Sequence, residues 1–325
     1  LFFNPLNILS EDNYDLTKNE LPFFNFIKLF YEFGFYGVHV FFAISGFVFA
    51  YVYLESRQNT SFKEFSINRF SRLYPLHFAT LLFVALIQVF YFLNYNQFQF
   101  GHIIDLYHFI LQIFFVSAWP FGEGHSFNAP IWSVSLEIAI YIVFFSLISV
   151  FKKYEIKFSV ALSLLLIFID KSGVYDSLFL ECARLFFSGV LVYYIVKSNF
   201  NYSLLFITST ILLIFSFIGN FKTYLFCPSL LLLFICFEKF IVNDKLKNIF
   251  SGLGNWTYAL YLLHVPVQLT VVFLFKKLEL FSNIFGSISF FFLYFIFLFF
   301  VSHLVYVFYE KPLNKHLRKF FLKNN

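Results

Sequence analysis

The chain has 325 residues, of which 60% are hydrophobic and 13% are charged, and it carries a formal net charge of +5 at pH 7. Its mean hydropathy is +0.77. Soluble domains carry roughly 25% charged residues, so this composition excludes a soluble globular protein. It predicts a polytopic membrane protein, and Phe replacing Leu in membrane spans explains the 58 Phe residues without any cofactor site.

The beginning of the chain is polar and lacks the features of a signal peptide or of a first membrane span. It starts at Leu1 and contains no Met, so we expect it to be an N-terminally truncated form of a longer parent. Residues 1–34 are predicted to form a loop outside the cell. The three Cys lie in apolar segments without CxxC or Cys/His spacing, which predicts buried thiols and neither a metal site nor a disulfide framework.

Nine apolar runs follow, and most have the length needed to cross a bilayer core. They are 35–54, 76–94, 131–151, 158–170, 179–197, 202–219, 224–241, 258–275 and 287–308. A tenth run, 103–118, is weaker because it contains Asp105, His108 and Gln112.

The distribution of positive charge indicates how these runs are oriented. If 103–118 does not cross, 16 Lys and Arg residues lie on the cytoplasmic side and six lie outside. If it does cross, this asymmetry disappears, although positive residues normally mark the cytoplasmic side. We therefore predict that 103–118 is a re-entrant or interfacial helix on the outer face.

The predicted fold is all-α, a polytopic bundle with about nine spans in this chain and ten in its parent. We expect one integral-membrane domain over 1–325. It comprises an outer loop at 1–34, a membrane bundle at 35–308 and a cytoplasmic tail at 309–325.

The stretch from Gly34 to Pro75 combines small residues with a pair of arginines. Gly34, Gly37, Ser45 and Gly46 allow a helix or a bound chain to approach closely. Arg69 and Arg72 share one helical face, and Pro75 is expected to reset the backbone after them. This pattern favours a phosphate-bearing ligand, which Arg binds through bidentate hydrogen bonds. The alternative is that both arginines only fix the orientation of the span.

Glu137 lies about two turns into its span, where an ionisable group is costly and usually has a role. Ser133 shares its helical face, and Trp132 fits an interfacial anchor. Glu137 is predicted to act as an acid, a base or an orienting carboxylate in a polar cavity. The alternative is a structural ion pair with Arg184, the other charge inside a span.

His264 lies inside another span, with Tyr261 three residues before it and Pro266 just after. Together with Tyr258 and Asn255, this arrangement favours a polar pocket. The alternative is a hydrogen bond across helices. His125, in the loop between two runs, is a weaker candidate for contact with an acceptor.

Five segments in order resemble the membrane-bound acyltransferase-3 family. They are GFYGVHVFFAISGF (34–47), RFSRLYP (69–75), IWSVSLEIAIY (131–141), LGNWTYALYLLHVP (253–266) and YEKP (309–312). Each is a soft motif alone, but their order and spacing extend over nearly the whole chain.

The resemblance implies transfer of an acyl group, often acetyl, from cytoplasmic acyl-CoA to a hydroxyl of a surface or exported sugar. It implies that Arg69 and Arg72 bind the CoA phosphates. Glu137 and His264 are then catalytic, and Trp132, Ser133 and Tyr261 bind substrate. The expected partners are the bilayer, the acyl-CoA donor and a carbohydrate or lipid-linked sugar, without a metal or nucleic acid. The expected location is the bacterial inner membrane, with the C-terminus in the cytoplasm.

Two departures from the family pattern bear on the site. The family carries an Arg and a His, the presumed base, in a first span that this chain is expected to lack. His39 also stands where the family commonly has an acidic residue.

A transporter or exporter of polysaccharide intermediates is the main rival function, since it also needs polar residues in spans. Transporters often show internal repeats, and the sequence shows none. A scaffold without chemistry is the third possibility. It does not explain why Glu137, Arg184 and His264 lie in spans.

Overall fold

The computed structural model describes residues 22–55, 60–99, 103–120, 122, 126–173, 177–198, 200–218, 221–241, 243, 247, 251–252, 254–279 and 287–323. The regular secondary structure of these residues is helical, which confirms the all-α fold. In chain order the helices are Phe24–Phe33 (α1), Tyr36–Leu54 (α2), Phe62–Tyr95 (α3), Leu106–Ile113 (α4), Ile131–Ser172 (α5), Leu178–Lys197 (α6), Tyr202–Ser216 (α7), Lys222–Ile241 (α8), Thr257–Lys277 (α9), Ile288–Val305 (α10) and Lys311–Lys323 (α11). A π-helical turn, Tyr306–Glu310, joins α10 to α11.

Seven helical stretches of the described residues are long and apolar enough to cross a membrane, where the sequence predicts nine. The difference arises at two places. Two helices, corresponding to the predicted runs 131–151 and 158–170, join at Glu155 (φ 46°, ψ −126°) within α5, so together they make up one of the seven stretches. The run 202–219 becomes α7, whose 15 residues extend about 22 Å, short of the roughly 30 Å core of a bilayer.

Three segments differ from simple loops or spans. Residues 1–34 are predicted as a loop, but Phe24–Phe33 is helical. The predicted tail at 309–325 is largely helical as α11. The run 103–118 contains only the eight-residue helix α4, about 12 Å long, which is too short to cross. At its start the Asp105 carboxylate accepts the backbone N–H of His108, which holds the pKa of Asp105 below its usual value.

Helix α3 begins after the N-cap residue Ser61 and continues without a break for 34 residues. The Ser61 hydroxyl accepts the backbone N–H of Glu64 at 3.1 Å. The expectation that Pro75 resets the backbone is wrong, because Pro75 lies inside the helix. The phenols of Tyr258 and Tyr309 donate to the carbonyls of Leu73 and Pro75, close to and at this proline.

The chain packs as two compact units. The first draws on Leu1–Gly34, Ser61–Ser135 and Phe250–Asn325, and the second on Phe35–Thr60 and Leu136–Ile249. In the first unit, α3 packs against α9 and α11, and α9 packs against α10. Leu81, Val84 and Leu269 lie in its apolar core. The single domain expected from the sequence stays a prediction.

The second unit is built around a close crossing of α2 and α6. A Cβ atom on Gly46 would lie well under 3.0 Å from the carbonyl of Phe186, and one on Gly189 would meet the carbonyl of Ala43 as closely. Each glycine therefore lets the partner backbone occupy the space of a side chain. The sequence predicts that small residues here allow close approach of either a helix or a bound chain. At Gly46 it is a helix that approaches.

Candidate functional site

Three of the five motif segments meet within the first unit. The phenol of Tyr258 donates to the carbonyl of Leu73 at 2.7 Å, and the phenol of Tyr309 donates to that of Pro75 at 3.2 Å. The Ser71 hydroxyl donates to the side-chain carbonyl of Asn314 at 3.3 Å. The segments RFSRLYP, LGNWTYALYLLHVP and YEKP, distant in sequence, are thus held together at one part of α3.

Arg69 and Arg72 lie on α3 beside these bonds. Arg69 is half-buried and Arg72 is exposed. The buried carboxylate of Glu310 lies within electrostatic range of the Arg72 guanidinium. The exposed guanidinium of Arg72 can still donate two hydrogen bonds to one phosphate or carboxylate.

Sequence reasoning missed the contribution of α11 to this basic surface, because it treated 309–325 as a tail. Helix α11 packs against α3, and Phe321 makes an edge contact with Phe70 at a centroid distance of 6.3 Å. The helix carries exposed Lys311, Lys315 and Arg318. The spacing of basic and apolar residues in 311–323 is the signal from which an amphipathic helix could have been predicted.

Ser133 and Tyr261 are brought together by the packing of the first unit. Their hydroxyl oxygens lie 2.7 Å apart. The hydroxyl of Ser133 lies 3.1 Å, and that of Tyr261 3.2 Å, from the carbonyl of Pro130. The carbonyl accepts from either hydroxyl, and one hydroxyl donates to the other. This pair can orient a bound hydroxyl. Among the described residues, Ser133 is bonded to a phenol and a carbonyl and to no imidazole.

His264 is buried one turn after Tyr261 on α9. Its Nδ1 lies 2.6 Å from the backbone carbonyl of Tyr261. A carbonyl can only accept, so Nδ1 carries the proton and the lone pair of the neutral ring is on Nε2. This tautomer leaves Nε2 as the nitrogen able to accept a proton. The alternative prediction for His264 is a hydrogen bond to another helix. The bond from Nδ1 is instead made within α9.

Three other predicted neighbours of the site differ in exposure. Trp132 is buried beside Ser133 at the start of α5. Tyr258 is also buried and is bonded to Leu73, whereas Asn255 is exposed. His125 lies outside the described residues.

Glu137 lies on α5 in the second unit, where its side chain is 3% exposed. The thiol of Cys182, on α6, is within electrostatic range of it. A carboxylate at this depth is costly and is typical of a functional or a buried structural group.

Arg184, proposed as a structural partner of Glu137, has ion pairs with two other carboxylates of the second unit. Its guanidinium lies 3.7 Å from Asp170 and 3.9 Å from Glu181, and it donates to the carbonyl of Thr223. The imidazole of His39 lies 3.4 Å from Glu181. His39, which departs from the family pattern, therefore lies close to a carboxylate of α6.

Comparison with known proteins agrees with the motif segments. A family model described as an acyltransferase domain matches residues 8–307. Over 134 residues the chain is 29% identical to the peptidoglycan O-acetyltransferase OatA of Listeria monocytogenes, a match that covers 37% of this chain and 21% of that protein. The chain thus spans about a fifth of the length of this relative. No solved structure matches the chain.

The family match covers nearly all the helices, including those that carry Arg69, Ser133 and His264. The chain therefore belongs to the acyltransferase-3 family of integral membrane proteins.

Proposed function

We propose that this protein transfers an acetyl group from cytoplasmic acetyl-CoA to a hydroxyl of a cell-surface polysaccharide. The match to an acyltransferase domain over residues 8–307 carries the proposal. The similarity to a peptidoglycan O-acetyltransferase favours a glycan acceptor. We further propose that the protein lies in the inner membrane of a bacterium with its C-terminus in the cytoplasm.

The donor is proposed to bind at the start of α3. Arg69 and Arg72 and the exposed basic residues of α11 form a cationic surface suited to the phosphates of CoA. Glu310, in the π-helical turn, lies within electrostatic range of Arg72, so its carboxylate would attract this guanidinium. The excess of Lys and Arg predicted on the cytoplasmic side supports the same location for this surface.

The reaction needs a base that removes a proton from the acceptor hydroxyl. In this chain His264 suits that role, because its Nδ1–H is tied to the carbonyl of Tyr261 and its lone pair is on Nε2. The hydroxyl oxygen attacks the thioester carbonyl as its proton moves to the imidazole. The tetrahedral intermediate then expels the CoA thiolate, which takes the proton from the imidazolium. An ester and a free thiol are the products.

Ser133 and Tyr261 are proposed to orient the acceptor beside His264, with Trp132 as part of the surrounding wall. The hydrogen-bonded hydroxyl pair supports a positioning role. Glu137 is proposed as the second catalytic group, a carboxylate that orients or exchanges protons within the second unit.

The direct test measures transfer of radiolabelled acetyl from acetyl-CoA to purified cell-wall glycan in membranes containing the full-length protein. Arg72→Ala should raise the KM for acetyl-CoA by about tenfold, the effect of losing one charge-assisted contact. Glu137→Gln should lower kcat. Lys197→Ala, which removes an exposed cation of the second unit, is the matched control.

Full activity in both Arg72→Ala and Glu137→Gln would refute the site assignment. Flux of a glycan intermediate across the membrane without acylation would favour an exporter instead.

A further inference from the structure

A buried hydrogen-bonded network lies around one turn of α3 in the first unit, apart from the groups assigned above. It contains His77, Gln112 and Asn128, whose side chains are 0%, 1% and 0% exposed. Sequence reasoning noted Gln112 only as a polar residue in a weak run and did not single out His77 or Asn128. Thr80 and Ser126 complete the network.

The bonds within the network fix which atoms donate. The His77 Nε2 lies 2.7 Å from the backbone carbonyl of Gln112, so Nε2 carries the proton and Nδ1 carries a lone pair. The Gln112 amide nitrogen donates to the carbonyl of Ser126 and, at 3.1 Å, to its hydroxyl. Because the carbonyl can only accept, the orientation of this amide is determined.

The orientation of the Asn128 side-chain amide is determined in the same way. Its amide nitrogen donates to the carbonyl of Leu262 at 3.3 Å and to the Thr80 hydroxyl oxygen at 3.0 Å. The Thr80 hydroxyl in turn donates to the carbonyl of His77 at 2.9 Å. Each hydrogen-bond donor in these bonds therefore already has an acceptor within the protein.

Three atoms of the network have no hydrogen-bond partner among the described residues. They are Nδ1 of His77, Oε1 of Gln112 and Oδ1 of Asn128. By the assignments above, all three are acceptors. A buried acceptor without a donor costs about 1–3 kcal/mol, and such groups are rare in folded proteins. A group that satisfies these three acceptors must carry several hydrogen-bond donors and no negative charge.

We propose that this network is a subsite for the hydroxyl groups of a neutral polyol, and specifically of the sugar acceptor. The inference rests on the proposed function and deepens it. An anion would be repelled by three acceptors. An ammonium group would favour a carboxylate partner, whereas the side chains of this network are all neutral. Sugar hydroxyls supply donors in the required number without charge.

The position of the network suits an acceptor. His77 follows Arg69 by eight residues on α3, a rise of about 12 Å. Leu262, which accepts from Asn128, lies on α9 between Tyr261 and His264. The polyol would thus be held beside the proposed base and beyond the proposed donor surface.

Two residues next to the network have unusual backbone dihedral angles. Phe115 (φ 58°) and Phe127 (φ 38°) adopt left-handed conformations that cost free energy for a residue with a side chain. Phe115 packs against the His77 ring with centroids 4.1 Å apart, and Phe127 lies between Ser126 and Asn128. Strained residues of this kind cluster at active sites, ligand clamps and switch regions.

The test measures binding of two neutral glycans, chitotetraose and maltotetraose, to the purified full-length protein in detergent by calorimetry. The variants are Asn128→Leu and Gln112→Met, which keep the approximate size of the side chain while they remove the whole amide, both its free acceptor and its donors. Each should weaken glycan binding by about tenfold or more, the loss of one or two hydrogen bonds, and leave the Kd for acetyl-CoA within about twofold. In the transfer assay the acceptor KM should rise by the same factor.

Gln88→Met is the matched control. Gln88 is also buried on α3, but both of its amide atoms are bonded to the backbone of Gln99. It should lose stability without losing glycan affinity. If one test variant does not fold, the other carries the comparison, since only monodisperse protein is titrated.

The outcomes separate the two proposals. Glycan binding that the variants weaken, without any acetyl transfer by the wild type, supports the subsite and refutes the proposed function. Acetyl transfer with an unchanged acceptor KM in the folded variants refutes the subsite, and ordered water then occupies the network. Absence of binding of both glycans to the wild type also refutes it.

Discussion

The phenol of Tyr309 donates a hydrogen bond to the carbonyl of Pro75 across 3.2 Å, although 234 positions of sequence separate the two residues. Tyr258 does the same for the carbonyl of Leu73. These two bonds join the last helical segment and α9 to the motif that carries Arg69 and Arg72. The proposed donor surface therefore depends on contacts that no single motif contains.

The two phenols should each contribute to stability. Tyr309→Phe and Tyr258→Phe remove only the donor, so each should lower the free energy of unfolding by about 1 kcal/mol. Thermal unfolding of the purified protein in detergent measures this loss. Tyr306→Phe, in the same π-helical turn as Tyr309, removes a hydroxyl with no hydrogen bond to any described residue. Equal melting temperatures for Tyr306→Phe and Tyr309→Phe would contradict the expected role.

The crossing of α2 and α6 should not tolerate a methyl group. Gly46→Ala and Gly189→Ala place a Cβ against the partner backbone, which cannot rotate away as a side chain would. Overpacking of this kind costs about 1–3 kcal/mol or more. We expect lower melting temperatures and less monodisperse protein in size-exclusion chromatography. Gly254→Ala, where the added Cβ meets open space, should behave like the wild type.

Arg184 should be important for the stability of the second unit. Removing one member of a buried ion pair leaves an uncompensated charge and costs about 3–5 kcal/mol. Arg184→Gln would leave Asp170 and Glu181 without this cation. Lys197→Gln breaks the exposed pair with Glu155 and should cost about 1 kcal/mol or less. Similar losses in the two variants, measured by chemical unfolding, would argue against a buried network at Arg184.

His264 should affect the chemical step rather than substrate binding. Replacing a general base lowers turnover by about 10²–10⁴-fold, so His264→Gln should reduce kcat for acetyl transfer while both KM values change little. His303→Gln alters an exposed histidine of α10 and is the control. Wild-type kcat in His264→Gln would exclude His264 as the base and direct attention to another histidine.

Ser133 should position the acceptor and should not carry the acetyl group. Its hydroxyl is bonded to Tyr261 and to the carbonyl of Pro130, with no imidazole among these partners. Ser133→Ala and Tyr261→Phe should each raise the acceptor KM by about two- to tenfold, the value of one hydrogen bond. Turnover at saturating acceptor should stay near the wild-type rate. Complete loss of turnover in Ser133→Ala, or a trapped acetyl-serine, would contradict this role.

Several features could be read from the sequence because they depend on local composition. The predicted apolar runs 35–54, 179–197 and 258–275 match α2, α6 and α9 to within two residues at each end. The weakness of the run 103–118, which contains Asp105, His108 and Gln112, predicts that it does not cross. The order of five soft motifs predicts the family, which the match over 8–307 shows. Each of these depends on residues close together in the chain.

Other features depend on which helices meet, and a single sequence does not contain that information. The bond from Tyr309 to Pro75, and the continuity of α3 through that proline, require two segments more than 200 positions apart. The pairing of Ser133 with Tyr261 and of Arg184 with Asp170 likewise arises from packing. The network of His77, Gln112 and Asn128 is the clearest example, since its unbonded acceptors appear only when every donor is assigned. Composition and spacing alone determined the membrane class, the helices and the family, whereas tertiary packing decided which polar groups meet, because hydrogen bonds select partners by distance in space.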